Sequence, residues 1–546
     1  MQDWDLSLAH DMPQLIRWGA AQYGDDIYLV EDGGRTLTFR ELEAKAEIAA
    51  RAFIARGVGY GDRVAIWAPN SGSWIVAACA VQMIGAVLTP INTRFRGQEA
   101  TYILEASGAK ALCTVGSFLG VDYLRMLQAV RGGPDAGRPV AGLPALATVV
   151  LLDEAPPPPG GVSAREFLSN LASRDQLLER EAQVGPQSVC DILYTSGTTG
   201  APKGAMHTHG QALWMVSLWN QANDLRRGDR ALIVNPFFHS FGYRSGWVSG
   251  LLAGMRVDPV AVFDASAALR QIEADRITVL MGSPTLFSAI LDHPERRSFD
   301  LSSLRVGHTG SSNVPVELIR RARQELGFEL FLTSYGLTEA TALVSVCRPS
   351  DDFETIAHTV GRALPGVELR IVSPDGATAG TGEAGELLVR GPNVMHGYFQ
   401  DPEATAKAID AEGWLHTGDV GRVDEDGRLR ILDRLKDVII VGGFNAYPAE
   451  IEHALLAHPA IAEVAIVAAP DARQGEVCAA FVVLRPGASL DLATLAAWSR
   501  ERFANFKVPR HLFVEAALPK TPLGKVQKFQ LKQAARERLA AVPASG

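Results

Sequence analysis

Cysteine is scarce: five residues in 546, at positions 79, 113, 190, 347 and 478, with no close spacing between any two. That argues against a disulfide framework, a zinc module and a Cys-x-x-Cys redox pair. The five read instead as reduced core thiols of a cytoplasmic protein. Basic charge is also short, 52 Lys and Arg against 61 Asp and Glu, for a net charge of −9. A nucleic-acid partner calls for a cationic surface, so none is expected. No apolar run reaches the roughly 20 residues of a membrane span. The longest, Trp74 to Leu88, is interrupted by Gln82. The Met1-Gln2-Asp3-Trp4-Asp5 start is acidic and lacks the cationic-then-apolar order of a secretory leader. No internal repeat is visible. The chain is too long for one core, so at least two domains are expected.

What is present is a βαβ rhythm. Thr38 precedes a helical pattern with Glu41 three residues on, the signature of a capped helix start. Arg63 to Trp67 reads as a buried strand, Trp74 to Ile84 as a buried helix and Ala86 to Pro90 as the next strand. This alternation predicts an α/β fold with doubly wound, largely parallel sheets. Residues 131–165 are rich in Gly and Pro and read as a surface excursion without assigned function.

One stretch has no business in a core. After an apolar run ending at Leu193 come Thr195-Ser196-Gly197-Thr198-Thr199-Gly200-Ala201-Pro202-Lys203-Gly204. Its glycines let backbone N–H groups converge on a ligand, four hydroxyls add donors, and Lys203 adds charge: a cradle for a polyphosphate. It is not the common P-loop, because Gly204 stands where that motif needs Ser or Thr after the Lys. An exposed linker is the plain alternative, but linkers rarely follow a buried strand with so many donors.

Other stretches carry chemistry less plainly. His239 ends the run Ile233 to Phe238 in an aromatic turn, where a lone His is ordinarily a packed core residue. Asp264 opens an amphipathic helix and reads as its N-cap. Gly380 to Gly385 matches G-x-G-x-x-G but precedes a strand instead of opening a helix, and is rejected as a nucleotide site. Asp433-Arg434-Leu435-Lys436-Asp437 taken alone is a solvated turn, and Lys525 taken alone a solvated lysine near the chain end.

The stretch from Thr195 to Gly204 closely resembles the phosphate loop of the adenylate-forming enzymes, which include acyl-CoA synthetases, luciferases and peptide-synthetase adenylation domains. Five further motifs agree in identity, order and spacing: the His239 turn, Ser334-Tyr335-Gly336-Leu337-Thr338-Glu339, Trp414 to Asp419, Asp433 to Lys436 with the following Gly442-Gly443 loop, and Pro519 to Lys525. The likeness spans almost the whole chain. It implies a large N-terminal domain (1–433) holding ATP and acyl sites, and a small mobile α+β lid (434–546) hinged near Lys436. The resemblance implies that the loop residues Thr195, Ser196, Gly197, Thr198, Thr199, Gly200 and Lys203 bind the phosphates of ATP. It implies that Tyr335 and Gly336 meet adenine, Thr338 the α-phosphate, and Glu339 with Thr195 a magnesium ion. Ser311 and Ser312 fall at the adenine wall, where the family usually has Gly or Ala. Asp419 would take the ribose hydroxyls, Arg434 the ribose or phosphate, Gly443 would line the pantetheine tunnel, and Lys525 would be the catalytic lysine. His239 would border the acyl carboxylate, with Phe241, Tyr243, Trp247 and Gly310 around a wide, flat, apolar acyl pocket.

The implied activity is ATP-dependent ligation of a small-molecule carboxylic acid to coenzyme A through an acyl-AMP, with magnesium. The Asn235 to His239 turn, the Gly442 to Glu450 loop and Ala504-Asn505-Phe506-Lys507 resemble those of bacterial ligases acting on a steroid-ring propanoate. General medium-chain or aromatic-acid ligases share much of this. An amino-acid adenylation domain should carry a Gly-x-Asp-Ser carrier arm, and none is present. A luciferase-like oxidase shares all six motifs, and a light assay with oxygen separates it. A non-enzymatic acyl-AMP binder should have lost Glu339 or Lys525, and both are present. A homodimer is compatible with the family likeness.

Overall fold

The structure is a computed structural model and describes residues 9–31, 33–135, 137–195, 202–310, 314, 316–441, 444–471, 473–521 and 525–540. Two parallel-centred sheets form the bulk of it. In one, strands Val189–Thr195, Val87–Pro90, Arg63–Trp67, Ala111–Thr114, Thr148–Leu151 and Val162–Ser163 run parallel in that order. Lys203–Thr208 then turns back antiparallel on Val189–Thr195, and Gly397–Tyr398 closes that edge. In the other, Leu330–Tyr335, Val306–Thr309, Val279–Gly282, Arg230–Ile233, Arg256–Pro259 and Ile27–Val30 run parallel.

Local sequence accounts for the helices between them. Thr38 and Glu41 form a reciprocal capping box at the start of Phe39–Ala55, satisfying two of the N–H groups a helix start leaves open. The helix Gly72–Met83 is buried on nearly every side, which explains why its sequence is apolar all round rather than striped. That accounts for the Trp74–Leu88 run as core, and no helix among the described residues is long and apolar enough to cross a membrane. The five cysteines are free and buried, as expected. Asp264 caps Ala265–Asp275 by accepting the Ala267 N–H at 2.8 Å. Gly385–Arg390 is a strand, as the rejected G-x-G-x-x-G context required.

Two readings of local structure need correction. The Gly/Pro-rich stretch 131–165 is not wholly an excursion. Thr148–Leu151 is buried and pairs with Ala111–Thr114, because its Val-Val-Leu run is a strand short enough to be masked by flanking turns. The stretch from Gly442 to Glu452 reads from the sequence as a loop opening a helix, but its described residues put a strand before that helix. Ile439–Val441 and Phe444–Ala446 form a hairpin, and the helix Pro448–Leu455 begins only where Pro448 can occupy its first turn.

A four-stranded antiparallel sheet (Glu368–Val372, Gly385–Arg390, Leu415–Val423, Leu429–Arg434) follows the two large ones. Beyond it the chain builds a second core of its own. Ile439, Val441, Ile451, Leu455, Phe481, Leu495 and Leu531 pack together around the long pair Ile461–Asp471 and Gly475–Leu484.

Candidate active site

The hairpin Val189–Thr195 and Lys203–Thr208 holds Thr195 opposite Lys203 across the mouth of the glycine-rich loop. Ser196, Gly197, Thr198, Thr199 and Gly200 of that loop, Ser311 and Ser312 of the adenine wall, and Gly443 lie outside the described residues. Thr195 donates its hydroxyl to Glu339 Oε1 at 3.3 Å, although 144 residues separate them. Tyr398 donates to the same oxygen at 3.0 Å. Tyr398 arrives there because Gly397–Tyr398 adds a strand to Lys203–Thr208, placing Tyr398 opposite Ala205. Burial, and then the Glu339 charge, push the Tyr398 hydroxyl above its ordinary pKa, so it stays a donor at neutral pH. The Lys203 ammonium sits 5.4 Å above the Tyr398 ring, which steers that cation toward the same corner.

Glu339 is carried by a tight turn. The strand Leu330–Tyr335 ends at Gly336, and a 3₁₀ turn spans Thr338–Ala340. A Cβ on Gly336 would fall 1.9 Å from the Ala342 carbonyl oxygen, so only glycine fits. Thr341 and Ala342 both have positive φ, 51° and 76°. That region is uncommon for residues with a side chain and worst for a β-branched one.

Beside this turn lies a second polar corner. Asp419, 4 % exposed, accepts the Tyr335 hydroxyl and the Arg434 Nε at 2.8 Å. Asp419 and Arg434 face each other because Leu415–Val423 and Leu429–Arg434 pair in that register. Burial, with the Asp419 carboxylate next to it, raises the Tyr335 hydroxyl well above its ordinary range. Lys436 follows in a 3₁₀ turn, Leu435–Asp437. Lys525 returns to this corner from the second core. Its backbone N–H donates to Thr521 Oγ1 at 3.1 Å. Lys525 is exposed as a residue, yet desolvation by the surrounding protein and then the Arg434 charge hold its pKa below the usual lysine value, with Asp419 and Asp437 opposing. Three cations, Arg434, Lys436 and Lys525, thus gather about Asp419.

On the other side of the hairpin, His239 accepts the Phe241 N–H on Nδ1 at 3.2 Å. Burial pushes its pKa down to about 4, so the ring is neutral at pH 7. Phe241 stands edge-on to Trp219, 5.9 Å between ring centres, and to His308, 6.2 Å. Gly310 follows the strand Val306–Thr309, and a Cβ there would only touch Ser334. Tyr243 and Trp247 go elsewhere. Both are fully buried in a cluster with Trp74, and Gln82 Nε2 donates to the Tyr243 hydroxyl at 2.5 Å. With those rings turned into the core, the crevice beside Phe241, Asn235 and Met281 has a volume of about 10 Å³. That crevice has room for one water.

Some residues at this centre went unread in the sequence: Tyr398, His308, and a buried set of Asp191, His207 and Arg244. Only the last had a signal. Asp191 is a carboxylate within the apolar run Val189 to Leu193, and a buried charge requires a partner.

Comparison with known proteins matches residues 16–399 to the family described as AMP-binding enzyme and residues 450–525 to the AMP-binding enzyme C-terminal domain. A methyl-dioxo-octahydroindenyl propanoyl:CoA ligase of Rhodococcus jostii is 44 % identical over 524 residues, 95 % of this chain and 98 % of the relative. The ligase of the same name in Mycobacterium tuberculosis is 47 % identical over 500 residues, 91 % and 94 % of the two chains. Among solved structures, an anthranilate CoA ligase in complex with anthranoyl-AMP superposes with a TM-score of 0.87 at 27 % identity, covering 99 % of this chain and all of the other. ATP-bound MatB from Rhodopseudomonas palustris superposes with a TM-score of 0.81 at 28 % identity, covering 97 % and 99 %.

Proposed function

Because this chain belongs to the AMP-binding enzyme family and is an ATP-dependent acyl-CoA ligase, we propose that its acid is a bulky ring-bearing propanoate of the steroid-derived kind. The observation that carries this is the likeness, along nearly the full length of each, to two ligases named for a methyl-dioxo-octahydroindenyl propanoate. The local geometry adds a neutral His239 and an apolar Phe241, which suit an uncharged ring system better than an amino acid. In the first half-reaction a carboxylate oxygen attacks the α-phosphorus of ATP, and pyrophosphate leaves. In the second, the CoA thiol attacks the acyl carbon, and AMP leaves.

Each corner has a part in this. Lys203 and Thr195 flank the phosphates. Tyr335 packs against adenine, and Asp419 accepts the ribose hydroxyls once Tyr335 and Arg434 give way to them. Lys525 offsets negative charge between the attacking carboxylate and the phosphate, a role that needs it only in the first half-reaction. Rotation of the second core about Lys436 then withdraws Lys525 and brings the Phe444 hairpin to the CoA channel.

Magnesium fits the donor set on one condition. Among the described residues no three His, Cys, Asp or Glu side chains converge as a metal cage. Glu339, flanked by the Thr195 and Tyr398 hydroxyls, offers one carboxylate and hydroxyl oxygens. Magnesium is ordinarily held by one or two carboxylates plus substrate phosphates, so Glu339 and Thr195 would hold it together with ATP. When bound, it supplies positive charge to the phosphate oxygens.

The test is kcat/KM for a hydrindane propanoate, octanoate, benzoate and a cinnamic acid, read as pyrophosphate release with CoA present. The ring propanoate is expected to lead by at least tenfold, about 1.4 kcal/mol of transition-state binding. An equal lead for octanoate replaces this reading with a medium-chain ligase.

A further inference from the structure

Two charges and an imidazole lie inside the first domain where neither half-reaction calls for them. Asp191 and Arg244 are both fully buried. Arg244 Nη2 donates to both oxygens of Asp191 at 2.7 Å. Asp191 Oδ1 also lies 2.8 Å from His207 Nδ1. The other ring nitrogen, His207 Nε2, lies 2.7 Å from the backbone carbonyl oxygen of Thr338. Both partners only accept, so the ring donates to both when each nitrogen carries a proton. Burial and the Arg244 charge lower the His207 pKa, while Asp191 and the Thr338 carbonyl favour that doubly protonated form. An internal ion pair of this kind is a weak source of stability, since apolar replacements of like volume often do as well or better. Its placement is more informative. Arg244 belongs to the π-helical turn Tyr243–Val248 that follows His239. Asp191 is on the strand entering the phosphate loop, and His207 on the strand leaving it. Thr338 begins the turn that carries Glu339.

That turn needs an outside anchor. Thr341 and Ala342 hold it in a left-handed conformation that costs energy for residues with side chains. Within it, the Thr338 carbonyl accepts only the Thr341 N–H, at 3.1 Å. Thr341 is pinned on one side by its hydroxyl on the Asn393 carbonyl, 2.7 Å, and Glu339 by the Met395 N–H on its carbonyl, 2.9 Å. From the phosphate-loop side, His207 meets the turn's backbone at Thr338 and Thr195 meets the Glu339 side chain. We propose that His207 is a positioning residue for acyl-AMP formation: held by Asp191 and Arg244, it fixes the Thr338 carbonyl and so keeps the Glu339 carboxylate on the Thr195 hydroxyl. The inference rests on the adenylation chemistry of the proposed function. It makes the Arg244–Asp191–His207 chain a link between the acyl-side helix and the ATP-side turn.

The two amides test it, because each copies one ring nitrogen. Gln places an N–H near Nε2 and keeps the bond to Thr338. Asn places one near Nδ1 and keeps only Asp191. His207→Gln is expected to stay within about fivefold of wild type in kcat for pyrophosphate release. His207→Asn is expected to lose 50-fold or more and to need several-fold more magnesium. Both should convert synthetic acyl-AMP and CoA to thioester at the wild-type rate. Equal loss in the two variants, or a matching loss in the second half-reaction, overturns the proposal. Thermal unfolding of each variant is measured alongside. If His207→Asn does not fold, Asp191→Leu with Arg244→Met removes the holder of His207 by apolar replacement. The same selective loss is expected, and undiminished acyl-AMP formation there overturns the proposal. Wild-type enzyme that releases no pyrophosphate with any acid would overturn the ligase chemistry instead, which keeps the two failures apart.

Discussion

At the scale of single residues the centre divides its work by charge. Lys525 is the one cation among the three about Asp419 that arrives from the second core. Lys525→Ala is therefore expected to cut pyrophosphate release by two orders of magnitude or more, while synthetic acyl-AMP and CoA still give thioester. Rapid-quench assays of each half-reaction measure this, and equal damage to both removes the role. Among the described residues Glu339 is the carboxylate bonded to Thr195, so Glu339→Gln should leave the hydroxyl contacts possible but remove the charge. A magnesium titration should show the half-activating concentration rising about tenfold, with KM for ATP rising alongside. An unchanged titration curve counts against Glu339 as a metal residue. Both residues were singled out in the sequence through the family resemblance of the motifs that hold them. Tyr398 was not: nothing near it in the chain marks it, and only strand pairing carries it to Glu339.

At the scale of elements, the Glu339 turn shows why glycine recurs at such sites. Gly336→Ala forces a Cβ to within 1.9 Å of the Ala342 carbonyl unless the turn moves. Overpacking of this sort costs about 1–3 kcal/mol. The variant should unfold a few degrees lower in a thermal melt, and its kcat for acyl-AMP formation should fall further than the stability loss accounts for, since Glu339 moves with the turn. A normal kcat in folded protein would show that the turn tolerates displacement. The hairpin that follows Lys436 teaches the converse. Its Phe444-Asn445-Ala446 sequence reads as a loop ahead of a helix, yet it pairs with Ile439–Val441, itself held against Gly475 in the sheet.

For the whole molecule, buried histidines set a pH limit on stability. His209 and His308 are fully buried, and burial pushes their pKa values down to about 4 and about 3. An unfolded histidine binds its proton near pH 6.5. Below that value the unfolded chain holds more protons than the folded one, so stability is full above about pH 6.5 and is lost as pH falls toward 4. Each such group contributes up to about 1.4 kcal/mol per pH unit inside that window. Urea unfolding between pH 7.5 and 4.5 should show this slope, and His209→Gln should reduce it by about one proton's worth. A slope unchanged by that substitution would mean His209 is already protonated in the fold.

The order of motifs along the chain, the alternation of strands and helices, the buried thiols and the phosphate-cradle character of the stretch after Leu193 were legible in the sequence from local chemistry: the φ freedom of glycine, the period of apolar residues, the donors a phosphate needs. Glu339, Asp419 and Lys525 were singled out by the family resemblance, since none of them stands out alone. The tertiary structure decided what depends on contacts far apart in the chain. It turned Tyr243 and Trp247 into the core, because Trp74 offers apolar surface there and Gln82 a hydrogen bond to the Tyr243 hydroxyl. It joined Asp191 to Arg244 and His207, since charges in an apolar strand and helix are tolerated only in each other's company, and the residues that satisfy them lie 53 and 16 positions away.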